Sequence, residues 1–201
     1  MEHVEPRPAA TVILVREQRD QIEVLLLLRD RNLAFSADSW VFPGGKIEVG
    51  DYGQDASSLE YHAALRAAVR ETREEAGISL DHRQLIHTAH WTTPEHLPLR
   101  YSTWFFLCPV RNDVQVQIDN HEIRDYRWIS PSRALREIAG RRLKALHPTR
   151  ATLEDLQHYC SLAEVLRAVK RNSVRVFPDN SSHYNPEAMG VVDADRSGNT
   201  D

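Results

Sequence analysis

The sequence is short of the features that would make several functions easy to assign. It has two cysteines in 201 residues, Cys108 and Cys160. That is too few for a disulfide framework or a thiolate metal site. It has no run of 18 or more apolar residues, so no transmembrane helix is expected. Neither an apolar signal region nor a sorting or lipidation signal is recognisable at the ends, so the expected location is cytoplasmic, away from membranes. The net charge of −4 lacks the basic excess of a general nucleic-acid binder. Internal repeats are absent too. What remains, with 41% hydrophobic and 27% charged residues, is the composition of an ordinary globular domain. The length suits one such domain with a sizeable core.

Against that plain background one stretch stands out, a helix expected from Ser57 to Ala76. At about 100° per residue, Glu71, Glu74 and Glu75 fall within an arc of roughly 100°. Leu65, Ala68, Val69, Thr72 and Ala76 fall on the other side, where they can face a core. Three crowded carboxylates destabilise a helix by a few tenths of a kcal/mol per pair. Arg70 and Arg73 offset some of this, and a hard divalent cation would offset more. Ser57 and Glu60 fit a capping box, and Gly77 suits the position after the last helical turn. Leading into the helix is Trp40-Val41-Phe42-Pro43-Gly44-Gly45-Lys46-Ile47-Glu48-Val49-Gly50-Asp51. A strand, a glycine turn and an acidic helix together are the layout of a phosphate-and-magnesium site.

These residues resemble the Nudix hydrolases, whose box reads G-x5-E-x7-R-E-U-x-E-E-x-G-U with U aliphatic. The second half is present as Arg70-Glu71-Thr72-Arg73-Glu74-Glu75-Ala76-Gly77-Ile78, with Thr72 in an aliphatic place. The first half is Gly45, five residues, then Asp51 where the family has glutamate. Between Asp51 and Arg70 lie 18 residues where the pattern has 7. Asp51 can return to the glutamate face only if the extra residues loop out, so its membership of a metal site stays open. The interrupted box resembles the branch containing the acyl-CoA diphosphatases. So do the turn Trp91-Thr92-Thr93-Pro94, Arg100 ahead of an aromatic strand, and a leucine–proline–threonine turn near Pro148.

The resemblance implies an α/β fold, the Nudix α/β/α sandwich with a mixed central sheet, over residues 9–177. Residues 1–8 are expected to be a flexible arm, and the polar residues 178–201 a mobile tail. It implies Mg²⁺- or Mn²⁺-dependent hydrolysis of a diphosphate in a small nucleotide-type substrate. Coenzyme A or an acyl-CoA leads; NADH, ADP-ribose and a non-catalytic nucleotide-sensing module are the alternatives. A monomer or homodimer without nucleic acid is expected. Glu71, Glu74 and Glu75 are the implied metal ligands. Arg70 orients them, and Glu74 competes as general base with Glu122, which precedes a strand ending in Trp128 and Ile129. Arg29, Arg31 and Arg100 are candidates for substrate phosphates, with Gly44 and Gly45 letting the backbone pass close to the substrate.

The remaining elements follow from pattern. Strands are expected at 9–15, 22–28, 84–92 and 101–110, with shorter pieces at 114–118 and 173–177. Arg16 to Gln21 reads as a hairpin loop. A helix starts at Ser130-Pro131 and ends at Gly140, and a single helix follows from His147 to Lys170. Cys108 and the aromatics beside it are read as core.

Overall fold

The computed structural model describes residues 4–33, 36–53 and 59–191. Its centre is one mixed sheet. In chain order the strands are β1 (Arg7–Gln18), β2 (Gln21–Arg29), β3 (Trp40–Val41), β4 (Gly44–Lys46), β5 (Ile86–Thr92), β6 (Tyr101–Pro109), β7 (Ile123–Ile129) and β8 (Arg175–Phe177). They line up as β3-β2-β1-β6-β5-β8, with β4 also paired to β1 and β7 to β2. The β1–β6 and β5–β8 pairs are parallel, whereas β1–β2, β1–β4, β2–β7 and β5–β6 are antiparallel. The helices are α1 (Glu60–Ala76), α2 (Pro131–Ala139), α3 (His147–Leu156), α4 (Leu162–Arg171) and the short α5 (Pro186–Met189).

Strand alternation explains the two layers. Val12 and Leu14 of β1, Leu25 and Leu27 of β2, and Trp104, Phe106 and Cys108 of β6 point to the face covered by α1. Ile13, Val24, Leu26, Phe105 and Leu107 point to the opposite face, which Ala134 of α2, Leu153 of α3 and Val165 of α4 cover. Both faces are therefore apolar, as the unbroken run from Val24 to Leu28 requires. Burying one such leucine stabilises the fold by about 2 kcal/mol. Ala63, Ala64, Ala67 and Ala68 give α1 a face of small side chains, all fully buried, so the helix lies close on the sheet. Thr72, the departure from an aliphatic residue, is buried because its hydroxyl donates to the Ala68 carbonyl at 2.7 Å. This partner removes the cost of an unpaired buried hydroxyl.

Several expected boundaries move, each for a physical reason. The loop expected at Arg16–Gln21 is a two-residue turn: Arg19 and Asp20 have φ of 52° and 59°. Two positive φ values match the right-handed strand twist, so Arg16 remains in the ladder and pairs with Glu23. The single helix expected from His147 is two, because the Ser161 hydroxyl accepts from the Glu164 amide and starts α4 afresh. The strand expected at 114–118 is a segment outside the sheet instead. Its Gln117 amide donates to the Ala76 carbonyl, closing the end of α1. Gly77 adopts φ of 69° there, as the helix end demands. The capping box depended on Ser57, which lies outside the described residues; α1 begins at Glu60, whose carboxylate accepts from the Trp104 indole at 2.8 Å.

The two ends are also corrected. β1 already begins at Arg7, inside the expected arm. The expected mobile tail is folded as far as residue 191. Tyr184, Met189 and Val191 pack on the α1-side core, and Ser181 hydrogen-bonds Thr92 at 2.8 Å. Three apolar side chains outweigh the polar composition of that segment. Residues 192–201 lie outside the described residues.

Tyr184 covers His90, with rings 4.7 Å apart. Burial chiefly, and the neighbouring His183 secondarily, lower the His90 pKa to about 4. An unfolded histidine titrates near 6.5. The folded pKa is the lower one, so the stability His90 confers is complete above that value and is lost as pH falls towards 4. Between pH 6.5 and 5 the melting temperature is expected to drop by several degrees, about 2 kcal/mol. A thermal melt series of His90→Gln should show a visibly flatter slope; an unchanged slope would remove His90 from the acid response.

Candidate functional site

The site forms where β4 passes under the C-terminal half of α1. Gly44 and Gly45 pair with Thr11 and Ala10 of β1. Gly44 has φ of 153°, and a Cβ there would stand 2.3 Å from the Ala10 carbonyl oxygen. Its amide donates to Glu75 Oε2 at 2.9 Å. A Cβ on Gly45 would stand 2.3 Å from Glu71 Oε1. The glycine pair is therefore a seat for two carboxylates one helical turn apart. Gly45→Ala is expected to displace Glu71 and lower kcat about tenfold or more while the protein still folds; steady-state kinetics with a melting curve checks this.

Arg70 organises the opposite flank. Its Nε and Nη2 donate to the two oxygens of Asp51 at 3.2 and 2.9 Å. Nη1 donates to Glu71 at 2.8 Å and Glu74 at 3.1 Å, and Nη2 also reaches the Lys46 carbonyl at 3.0 Å. The paired carboxylates hold Arg70 firmly charged, Asp51 first among them. Asp51 itself is 6% exposed and sits in a short 3-10 turn, Val49–Tyr52. One of its oxygens also accepts from the Glu48 amide at 2.8 Å. Asp51 does return to the glutamate face, but its carboxylate is taken up by Arg70. Arg66, one turn before Arg70, fixes the loop by donating to the Asp51 carbonyl. Sequence reasoning missed Arg66; its i,i+4 spacing from Arg70 was the available signal.

The three helix glutamates are not equivalent. Glu75 is 4% exposed. Burial raises its pKa to about 8 despite the Gly44 amide, with Glu71 adding to the rise and Arg29 opposing it. Burial also raises Glu71, against the pull of Arg70. Glu74 is the outermost, with 59% of its side chain exposed.

Arg29 ends β2 between two carboxylates, 3.6 Å from Glu75 and 3.6 Å from Glu122. Its Nε is buried without a hydrogen-bond partner. Glu122 lies just ahead of β7 with 57% of its side chain exposed. Arg31 is exposed in the turn after β2. Arg100 is a correction. It is 2% exposed, and its guanidinium donates to the carbonyls of Thr93 at 3.0 Å and Val4 at 2.7 Å. It clamps the N-terminal segment to the β5–β6 connection and is out of reach of a phosphate. Among the described residues no three histidine, cysteine, aspartate or glutamate side chains form a ready-made metal cage.

Comparison with known proteins gives one consistent family. A family model described as the NUDIX domain matches residues 5–156. The chain is similar to the acyl-coenzyme A diphosphatase NUDT19 of Xenopus laevis, with 21% identity over 243 aligned positions. That alignment takes in 76% of this chain and 64% of the relative, so the chain spans less than two thirds of that protein's length. Among solved structures, a NUDIX hydrolase from Alicyclobacillus acidocaldarius superposes with a TM-score of 0.71 at 22% identity, covering 80% of this chain and 95% of that one. The NUDIX domain of Shewanella oneidensis NrtR, complexed with ADP ribose, has a TM-score of 0.57 at 14% identity, covering 77% and 88%. The C. elegans Ap4A hydrolase binary complex has a TM-score of 0.53 at 25% identity, covering 76% and 96%. The likenesses under 25% identity carry the fold.

Proposed function

The chain belongs to the Nudix family of hydrolases, and from that membership we propose that it is a Mg²⁺- or Mn²⁺-dependent diphosphatase acting on coenzyme A or an acyl-CoA. The observation that carries the reading is the carboxylate pair Glu71 and Glu75, seated on Gly45 and Gly44 and flanked by Arg70. The coenzyme A part rests on the similarity to an acyl-coenzyme A diphosphatase and on the branch-like turn at Trp91 to Pro94.

The donor set fits a hard cation. Mg²⁺ is usually held by one or two carboxylates together with substrate phosphate oxygens, not by an all-protein cage. Glu71 and Glu75 would hold it, with Glu74 available from the exposed side. The close approach that excludes any side chain at Gly45 leaves the Glu71 oxygens beside bare backbone. A divalent ion there would neutralise the diphosphate and lower the pKa of water. The protein's own groups do the rest. Arg70 holds Glu71 and Glu74 in place through charge-assisted hydrogen bonds. Arg29 offers its guanidinium to a phosphate oxygen and leaves Glu75 and Glu122 as it does so; Arg31 adds charge at the entrance. Glu122 takes the proton of the attacking water, because it is an exposed carboxylate paired with Arg29 and a base must reach the water. The water oxygen bonds to phosphorus, the bridging P–O bond breaks, and the bridging oxygen leaves with the other phosphate.

The test is a mass-spectrometric hydrolysis screen with Mg²⁺ and then Mn²⁺. Its panel is coenzyme A, acetyl-CoA, a long-chain acyl-CoA, NADH, ADP-ribose and the nucleoside triphosphates. Release of adenosine 3′,5′-bisphosphate and a phosphopantetheine product supports the proposal. Cleavage of NADH or ADP-ribose alone rejects the coenzyme A part. No turnover, with one ligand raising the melting temperature, makes the protein a nucleotide-sensing module.

A further inference from the structure

On the side of α1 away from Glu71 and Glu75 lies a second concavity, about 1070 Å³ in volume, between the helix and the segment from Ser79 to Arg83. Its helix wall carries Arg66, Arg70 and Arg73. At 100° per residue these three fall within roughly 60° of one another, a single stripe along the helix. The facing wall brings His82 and Arg83, and Val69 and Leu80 supply an apolar floor. Only Glu74 and Asp81 contribute negative charge. Arg70 is shared by Glu74, Glu71 and Asp51, and Arg83 pairs with Asp81 at 2.6 Å. Arg66 donates one N–H to the Asp51 carbonyl and has no ion-pair partner among the described residues. The Arg73 guanidinium is exposed and has no ion-pair or hydrogen-bond partner among the described residues. Two guanidinium groups with no ion-pair partner among the described residues thus line a concave space in a chain whose net charge is −4.

We propose that this concavity is a binding site for a phosphate monoester with a flat apolar body, adjoining the carboxylate site at Arg70 and Glu74. Arginine forks match phosphate oxygens. Val69 and Leu80 would cover one face of the body, as pockets for small ligands commonly do. The volume slightly exceeds the usual range of about 300–1,000 Å³ and accommodates a mononucleotide. The site shares Arg70 and Glu74 with the carboxylate cluster, so its ligand sits against the same helix that carries the chemistry.

The experiment is calorimetric titration of the full chain with adenosine 5′-monophosphate, with EDTA present so that no divalent ion recruits phosphate to Glu71 and Glu75. Adenosine and inorganic phosphate are titrated in parallel. Adenosine 5′-monophosphate is expected to bind more tightly than either fragment. The exposed double substitution Arg73→Gln and Arg83→Gln should weaken it at least tenfold, whereas Glu75→Gln should leave the binding unchanged. The proposal is overturned if wild type binds no nucleotide, if the double variant binds as wild type does, or if Glu75→Gln alone abolishes binding. Turnover is not read in this titration, so loss of the hydrolase reading would leave the result intact.

Discussion

Glu75→Gln is expected to slow hydrolysis on the order of 10²–10⁴-fold while leaving the apo protein at least as stable as wild type above neutral pH. The side chain is 4% exposed, and its most definite contact is the Gly44 amide. Glutamine retains a carbonyl oxygen for that donor, so the packing survives. What glutamine lacks is the charge for a divalent ion. The stability side follows from the raised pKa of about 8. An unfolded glutamate titrates near 4.3. The folded value is the higher one, so in wild type without metal the protonated fold is favoured at low pH. That advantage is lost as pH rises from about 4.3 through 8. Glu75→Gln should lack this decline. Mg²⁺ should raise the wild-type melting temperature at pH 8, because it replaces the proton as the partner of a buried carboxylate. The same addition should do little to the variant. Melting curves at pH 6 and 8, with Mg²⁺ or with EDTA, check all of this; a Mg²⁺ shift of equal size in both proteins would take Glu75 out of the metal site.

The second large effect is expected from Arg70. Arg70→Ala should cost about 3 kcal/mol of stability, a value for breaking one partner of a largely buried pair, and should reduce turnover by 10²-fold or more. Asp51 is 8% exposed at its side chain, so losing Arg70 leaves a buried carboxylate with only the Glu48 amide among the described residues. Glu71 and Glu74 lose their common donor at the same time. Arg70→Lys keeps the charge without the fork. It should recover part of the stability and little of the rate. Asp51→Asn should destabilise less once Arg70 is gone than in wild type, a coupling that a double-mutant cycle in urea reads directly. Additive effects would mean that Arg70 and Asp51 act independently.

Why the core was readable and parts of the periphery were not has a physical explanation. The nearly all-apolar run from Ile22 to Leu28 and the aromatic run from Tyr101 announce strands because both faces are buried. The glutamate cluster was visible because a strand and a glycine turn lead into a helix that carries three carboxylates on one arc. Arg100 was misread because an arginine in a loop looks alike whether it meets a ligand or two backbone carbonyls; its 2% exposure is a property of the fold alone. Asp51 depended on chain return across an interrupted segment, which spacing leaves undetermined. The segment after Pro178 was judged on average composition, although three residues, Tyr184, Met189 and Val191, decide its placement. The order among the helix glutamates was also hidden. An ideal helical projection puts Glu71, Glu74 and Glu75 on one arc, but only the contact with β4 makes Glu75 the innermost.

The most direct test of the central claim is the rate of coenzyme A hydrolysis with Mg²⁺, measured side by side for wild type and Glu75→Gln, each repeated in EDTA. The account predicts adenosine 3′,5′-bisphosphate from wild type with Mg²⁺ only, and a variant slower by at least 10²-fold under the same conditions. Equal rates in the two proteins, or wild-type turnover undiminished in EDTA, would contradict it.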